Sequence, residues 1–182
     1  MEIARRQLLL GATAAAALAG GVIVPAAAQA PEPPGLSTVC DLHFELEPPL
    51  VIPGVPLGRR TVLRVRGGTV DGPRLTGRIL PGNGDWALMR PDGMFELDVR
   101  AVIETADGAM IAVSYPGLVR MAPAAWARFQ SGDKPGPEEY YFRVAPRFEA
   151  AAEPYLWLNR ALFVGVGYDL PPTPKYRVWE VL

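Results

Sequence analysis

Three stretches of the chain carry side chains whose types and spacing suit chemistry. In FELDVRAVIET (95–105), Phe95, Leu97, Val99, Ala101 and Ile103 alternate with Glu96, Asp98, Arg100, Val102 and Glu104. A strand sends alternate residues to opposite faces, so Asp98, Arg100 and Glu104 share one face. Facing a barrel lumen, they would set a carboxylate beside an arginine, a positioned acid or base with a stabilising cation. Facing water, they would be surface ion pairs of little energetic weight. The alternation alone allows both.

The second stretch, EYYFRVAPRFE (139–149), puts Tyr141 and Arg143 on one face, with Tyr140, Phe142 and Val144 on the other. The third, LWLNRALFV (156–164), alternates Trp157 and Asn159 with Leu156, Leu158 and Arg160. Neighbouring strands offering Tyr141–Arg143 and Trp157–Asn159 would form an apolar wall bearing phenol, guanidinium and amide groups. That is how small-molecule pockets are composed. Arginine matches a carboxylate or enolate oxygen, while Tyr and Trp stack on aromatic rings or sit in a core with their polar atoms satisfied. Asp85-Trp86 and Arg90 extend this candidate surface.

Other chemistries find little support. The single histidine, His43, and single cysteine, Cys40, leave no paired Cys/His spacing for a metal, and no cofactor is expected. Cys40 shares a strand face with Leu42, Phe44 and Leu46 and reads as a buried structural thiol. No serine lies in a G-x-S-x-G elbow, and Gly67-Gly68 opens no phosphate-binding helix.

The elements that must position these residues are mostly strands. VCDLHFELE (39–47), RTVLRVR (60–66), RLTGRIL (74–80), DWALMR (85–90), 95–105, AMIAVSY (109–115), YYFRVA (140–145), LWLNRALFVGVG (156–167) and KYRVWEVL (175–182) show period-two alternation or β-rich composition. Turn signals separate many of them: Asp71-Gly72-Pro73, Pro81-Gly82-Asn83-Gly84, Pro91-Asp92-Gly93 and Asp107-Gly108. PPLVIPGVPLG (48–58) holds too many prolines for a central strand. One short helix is expected, opened by Pro123, carrying Trp126 and Phe129, and closed by Gly132. This pattern predicts an all-β domain: a single antiparallel β-barrel of about nine strands with one short helix, or alternatively an open β-sandwich.

The ends and the charge balance bound the biology. MEIARRQLLLGATAAAALAGGVIVPAAAQA (1–30) joins Arg5-Arg6, a mild alanine-rich apolar run and an Ala28-Gln29-Ala30 cleavage site. It reads as a twin-arginine-like export signal, and the expected location is periplasmic or secreted with no stable membrane span after its removal. Residues 31–38 form a proline-rich leader, and 39–182 the single barrel domain. Beyond residue 30 there are 16 Lys+Arg and 18 Asp+Glu, a balance that argues against nucleic-acid binding.

Four blocks occur in an order and spacing that resemble a known family: GGTVDGPRLTGRILPGNGDW (67–86), RPDGMFELDVRAVIETADGAMIAV (90–113), YYFRVAPRFE (140–149) and YLWLNRALFVGVG (155–167). Together they are similar to the domain of unknown function 3237 family, also called uncharacterised protein family 0311. The resemblance covers roughly 39–182 and implies a compact one-domain β-barrel with no established activity. Val70, where an aromatic is common, and Ala150-Ala151-Ala152, where a glycine-containing turn is usual, depart from that pattern. The residues therefore support an exported barrel binding a small aromatic or apolar molecule with an anionic or carbonyl group. The alternative is a cofactor-independent isomerase, cyclase or lyase using Asp98 or Glu104 as base and Arg100 or Arg143 against an oxyanion.

Overall fold

The computed structural model describes residues 32–182; the expected export signal lies outside them. Eleven strands form one antiparallel sheet: β1 (Leu36–Leu46), β2 (Leu50–Val55), β3 (Gly58–Asp71), β4 (Gly77–Ile79), β5 (Gly84–Met89), β6 (Phe95–Thr105), β7 (Met110–Met121), β8 (Tyr140–Val144), β9 (Arg147–Ala150), β10 (Leu162–Asp169) and β11 (Lys175–Val181). The β6–β7 pairing closes the sheet on itself, so the fold is the expected barrel.

The barrel has eight strand positions, and the three extra strands arise because three positions are shared. β1 covers Val65–Asp71 of β3 while β2 covers its start, Gly58–Val62. On the other side of β3, β5 runs beside Arg59–Arg64 and β4 beside Gly68–Val70, both also bridging to β6. Likewise β8 and β9 divide β7 between them. Sharing lets short strands with proline- and glycine-rich joints complete a closed wall that leaves no long open edge.

Residues 48–58 hold no central strand, as expected: Leu50–Val55 form β2, which pairs with β3 alone and so tolerates Pro53. One expectation is corrected. The expected strand 156–167 is half helix: Glu153–Arg160 is a 3₁₀ segment and the strand starts only at Leu162. Pro154 at the start of that segment pre-sets a helical φ. The Asn159 side chain then grips the backbone of Ala150, accepting its N–H at 3.0 Å and donating to its carbonyl at 2.7 Å. The one α-helix among the described residues, α1 (Pro123–Gln130), begins at Pro123 as expected. Gly132, at φ +95°, turns the chain away after it, a conformation that favours glycine.

The interior is packed at one end and hollow at the other. Ile79, Ile103, Ile111, Val113, Phe148, Leu158 and Phe163 fill the first end, with Phe148 and Phe163 edge to face at 5.0 Å. Cys40 lies fully buried there, its thiol pushed up to about 12 chiefly by burial. Toward the other end the apolar wall continues, but the centre is open.

A candidate ligand cavity with a polar end

The opening is a cavity of about 270 Å³ walled by inward residues of β1, β3, β5, β6, β7, β8 and β11. Alternation places Arg59, Thr61, Leu63 and Val65 of β3 on that wall, facing Phe95, Leu97 and Val99 of β6. Trp126, Phe129 and Gln130 of α1 line it as well, so this helix lies at the cavity mouth, with Trp126 6.3 Å from Phe95.

Strand register fixes the depth of each group. Leu63, Asp85, Val99 and Tyr115 stand opposite one another across β3, β5, β6 and β7 and form one rung. Arg59, Met89, Phe95 and Val119 form another, nearer α1. Four residues of strand separate the two rungs, or about 13 Å. The cavity therefore has a cation near its mouth and a carboxyl deep inside.

Asp85 is one of the few buried polar residues, only 7% exposed. Its Oδ1 accepts the backbone N–H of Asp98 at 2.8 Å. Burial raises its pKa from an ordinary 3.8 to about 7, with a smaller push from the Asp98 carboxylate. The Asp98 amide and the Arg60 guanidinium act the other way without overcoming desolvation. Beside it, Tyr115 and Tyr176 are buried with ring centroids 5.6 Å apart. Burial raises both phenols, so both stay protonated at neutral pH. Phe44 packs edge-on to each, at 6.5 and 5.8 Å, and Phe142 to Tyr176 at 5.0 Å. Arg59 makes no ion pair among the described residues, and its Nε is buried without a hydrogen-bond partner.

None of the residues singled out by alternation lines this cavity. Asp98 and Arg100 pair with each other at 2.8 Å on the exposed outer face. Glu104 pairs with Arg78 of neighbouring β4, also outside. The lumen-facing reading of strand 95–105 is thus corrected: its apolar face points in, because the enclosed side of the wall excludes water from Leu97, Val99 and Ile103. Tyr141 is 42% exposed, with the Arg143 guanidinium 4.9 Å from its ring on the outer surface. Arg143 also donates to the Phe142 carbonyl at 2.9 Å. Trp157 and Asn159 do not join them; Trp157 packs under Arg74, 3.9 Å from its ring, and Asn159 clamps Ala150. Trp86 is 54% exposed, and Arg90 pairs with Glu96 at 2.7 Å and Asp92 at 2.5 Å. Asp85, beside Trp86, does turn inward. Sequence reasoning misses Tyr115 and Tyr176, although both fall in phase with apolar neighbours, Val113 and Val178. Among the described residues no group of three or more His, Cys, Asp or Glu is placed to hold a metal. No helix among them is long and apolar enough to cross a membrane.

Fold and cavity define a small closed β-barrel with an apolar interior chamber. Residues 34–181 match the model of the family described as protein of unknown function (DUF3237), and the chain belongs to that family. A UPF0311 protein of Clostridium acetobutylicum is 32% identical over 125 residues, covering 69% of this chain and 79% of that one. A UPF0311 protein of Rhodopseudomonas palustris is 37% identical over 109 residues, 59% and 71% of the two chains. A solved β-barrel-like protein from Acinetobacter baumannii is similar with a TM-score of 0.73 and 28% identity, covering 84% of this chain and 99% of that one. An enzyme from Penicillium herquei shares the fold at a TM-score of 0.65 and 21% identity, with 85% and 98% coverage, and speaks to the fold alone.

Proposed function

We propose that the barrel holds a small, mainly apolar molecule, aromatic or alicyclic, with a carbonyl or hydroxyl oxygen directed at Asp85 and the tyrosine pair. The observation that carries this reading is the apolar chamber with Asp85 and Tyr115 on one deep rung and Tyr176 packed beside Tyr115. A ring system the size of an aromatic side chain buries roughly 150–250 Å², worth about 4–6 kcal/mol. Association costs about 4 kcal/mol or more, so burial alone leaves little net affinity. The polar contacts then decide which molecule stays. Arg59 adds a second preference: its unpartnered buried Nε suits an anionic group near the mouth.

The test is calorimetric titration of the full chain with 2-naphthol and 2-naphthoate. Both should bind. Arg59→Met should weaken 2-naphthoate by roughly 10- to 100-fold, the worth of a charge-assisted hydrogen bond, and leave 2-naphthol unchanged. Absence of heat and of thermal stabilisation with either compound sinks the reading. Export is proposed on the residues of 1–30 alone. Cell fractionation should find the protein outside the cytoplasm, and Arg5→Lys with Arg6→Lys should retain it inside.

A further inference from the structure

We propose that the cavity is an active site for cofactor-free proton transfer, with Asp85 moving a proton on and off the carbon next to the ligand's carbonyl. This rests on the cavity-binding reading and adds turnover to it. The groups needed for such a reaction are a base, a hydroxyl donor for the developing oxyanion, and a water-poor enclosure. Asp85 and Tyr115 share one rung of the barrel, Tyr176 packs beside Tyr115, and the apolar wall encloses them.

The geometry assigns the roles atom by atom. Oδ1 of Asp85 is committed to the Asp98 amide at 2.8 Å, which leaves Oδ2 for the ligand. That amide also fixes the carboxyl against rotation, since Asp98 sits within the paired strand β6. Tyr115, on the same rung as Asp85, and Tyr176, packed beside it, both line the cavity, so this pair supplies the hydroxyl that meets a ligand oxygen. Asp85 and the Tyr115–Tyr176 pair are then the catalytic residues. A carboxyl with its pKa near neutrality is matched to the task, because it is half ionised where it works.

In the step itself, Oδ2 takes the proton from the α-carbon. The C–H electron pair becomes the new carbon–carbon double bond, and the carbonyl π pair moves onto oxygen, held there by a phenol O–H of the tyrosine pair. Returning the proton to the same carbon restores the ketone. Returning it to the far end of a conjugated system moves the double bond. No electron is gained or lost, and no co-reactant enters. The apolar wall of Phe44, Leu63, Leu97, Val99 and Phe142 keeps water from quenching the enolate.

The experiment follows hydrogen–deuterium exchange at the α-carbons of 2-tetralone by NMR in deuterated buffer with the full chain. The wild-type protein should speed exchange over buffer by roughly 10²-fold or more. Asp85→Asn, which keeps an acceptor for the Asp98 amide, should fall to the buffer rate while still being stabilised thermally by 2-naphthol, a planar enol mimic. Tyr115→Phe combined with Tyr176→Phe should lower the exchange rate more than it weakens 2-tetralone binding. If 2-tetralone binds but exchanges equally fast with wild type and Asp85→Asn, the catalytic inference is overturned and the binding reading survives. If neither compound shifts the melting temperature of the wild type, both fall.

Discussion

Replacing Asp85 by Asn tests the polar end of the cavity without any ligand. Asn preserves the shape and an oxygen for the Asp98 N–H, but it cannot ionise. In the unfolded chain an Asp titrates at the ordinary 3.8; in the folded barrel burial raises Asp85 to about 7. A folded pKa above the unfolded one means the neutral carboxyl stabilises the fold fully below pH 3.8. That contribution is lost progressively until pH passes 7. Between those two pH values the loss adds up to about 4 kcal/mol, at 1.36 kcal/mol for each pH unit. Between pH 5 and pH 8 the wild type should therefore lose about 2–3 kcal/mol relative to Asp85→Asn. For a domain of this size that is about 5–10 °C in the difference of melting temperatures. Every other titrating group is common to both proteins and cancels, provided the groups near Asp85 (Asp98, Arg60, Arg59, Tyr115 and Tyr176) keep their places. Denaturant titrations at pH 5, 6.5 and 8 measure it. A stability difference constant across that range to about 0.5 kcal/mol would refute the buried, raised carboxyl.

Three more outcomes are expected. Gly167→Ala should cost about 1–3 kcal/mol in urea unfolding, because its Cβ would fall 2.2 Å from the Phe142 ring, which is itself packed against Tyr176. A neutral result would mean that the aromatic cluster yields freely. Asn159→Ala should lower the melting temperature by about 2–6 °C, since it removes both hydrogen bonds tying the 3₁₀ segment to Ala150; no change would show the clamp to be replaceable by water. Arg143→Ala should shift stability by less than about 1 kcal/mol and leave 2-naphthol affinity intact, as its stacking on Tyr141 is exposed. A tenfold loss of affinity would move the site to the outer face.

The strands and turns are legible because alternation and turn chemistry are local. Asp107-Gly108, for instance, sits between β6 and β7 with Gly108 at φ +82°, as a tight turn requires. What misleads are stretches whose local pattern fits two structures. Residues 156–160 alternate like a strand, yet Pro154 and the Asn159–Ala150 hydrogen bonds make a 3₁₀ segment of them. β2 is hidden because Pro53 and the prolines flanking it rule out a central strand while leaving an edge strand open, and β2 pairs with β3 alone. The site is harder still. Which face of β6 points inward depends on closure of the whole sheet, and the charged face draws attention because charges announce chemistry. Asp85 follows a glycine-rich turn, and its inward direction is set by pairing with Leu63 and Val99, 22 and 14 residues away. Tyr115 and Tyr176 do leave a signal: phenols in phase with an apolar face carry hydroxyls into the core.

The chemical identity of residue 85 argues for use rather than structure. The Asp98 amide needs an acceptor, and an asparagine oxygen would supply one without a titratable charge. An aspartate there costs about 4 kcal/mol above neutrality, a large share of the roughly 5–15 kcal/mol by which domains are stable. The barrel bears that cost at the hollow end, whereas the packed end around Ile103, Ile111 and Phe148 holds no buried carboxyl among the described residues. Stability and reactivity are thus divided along the barrel axis. An ionisable group kept where it weakens the fold, next to a hydroxyl pair and an open apolar space, is most simply accounted for by a molecule that enters that space and exchanges a proton with it.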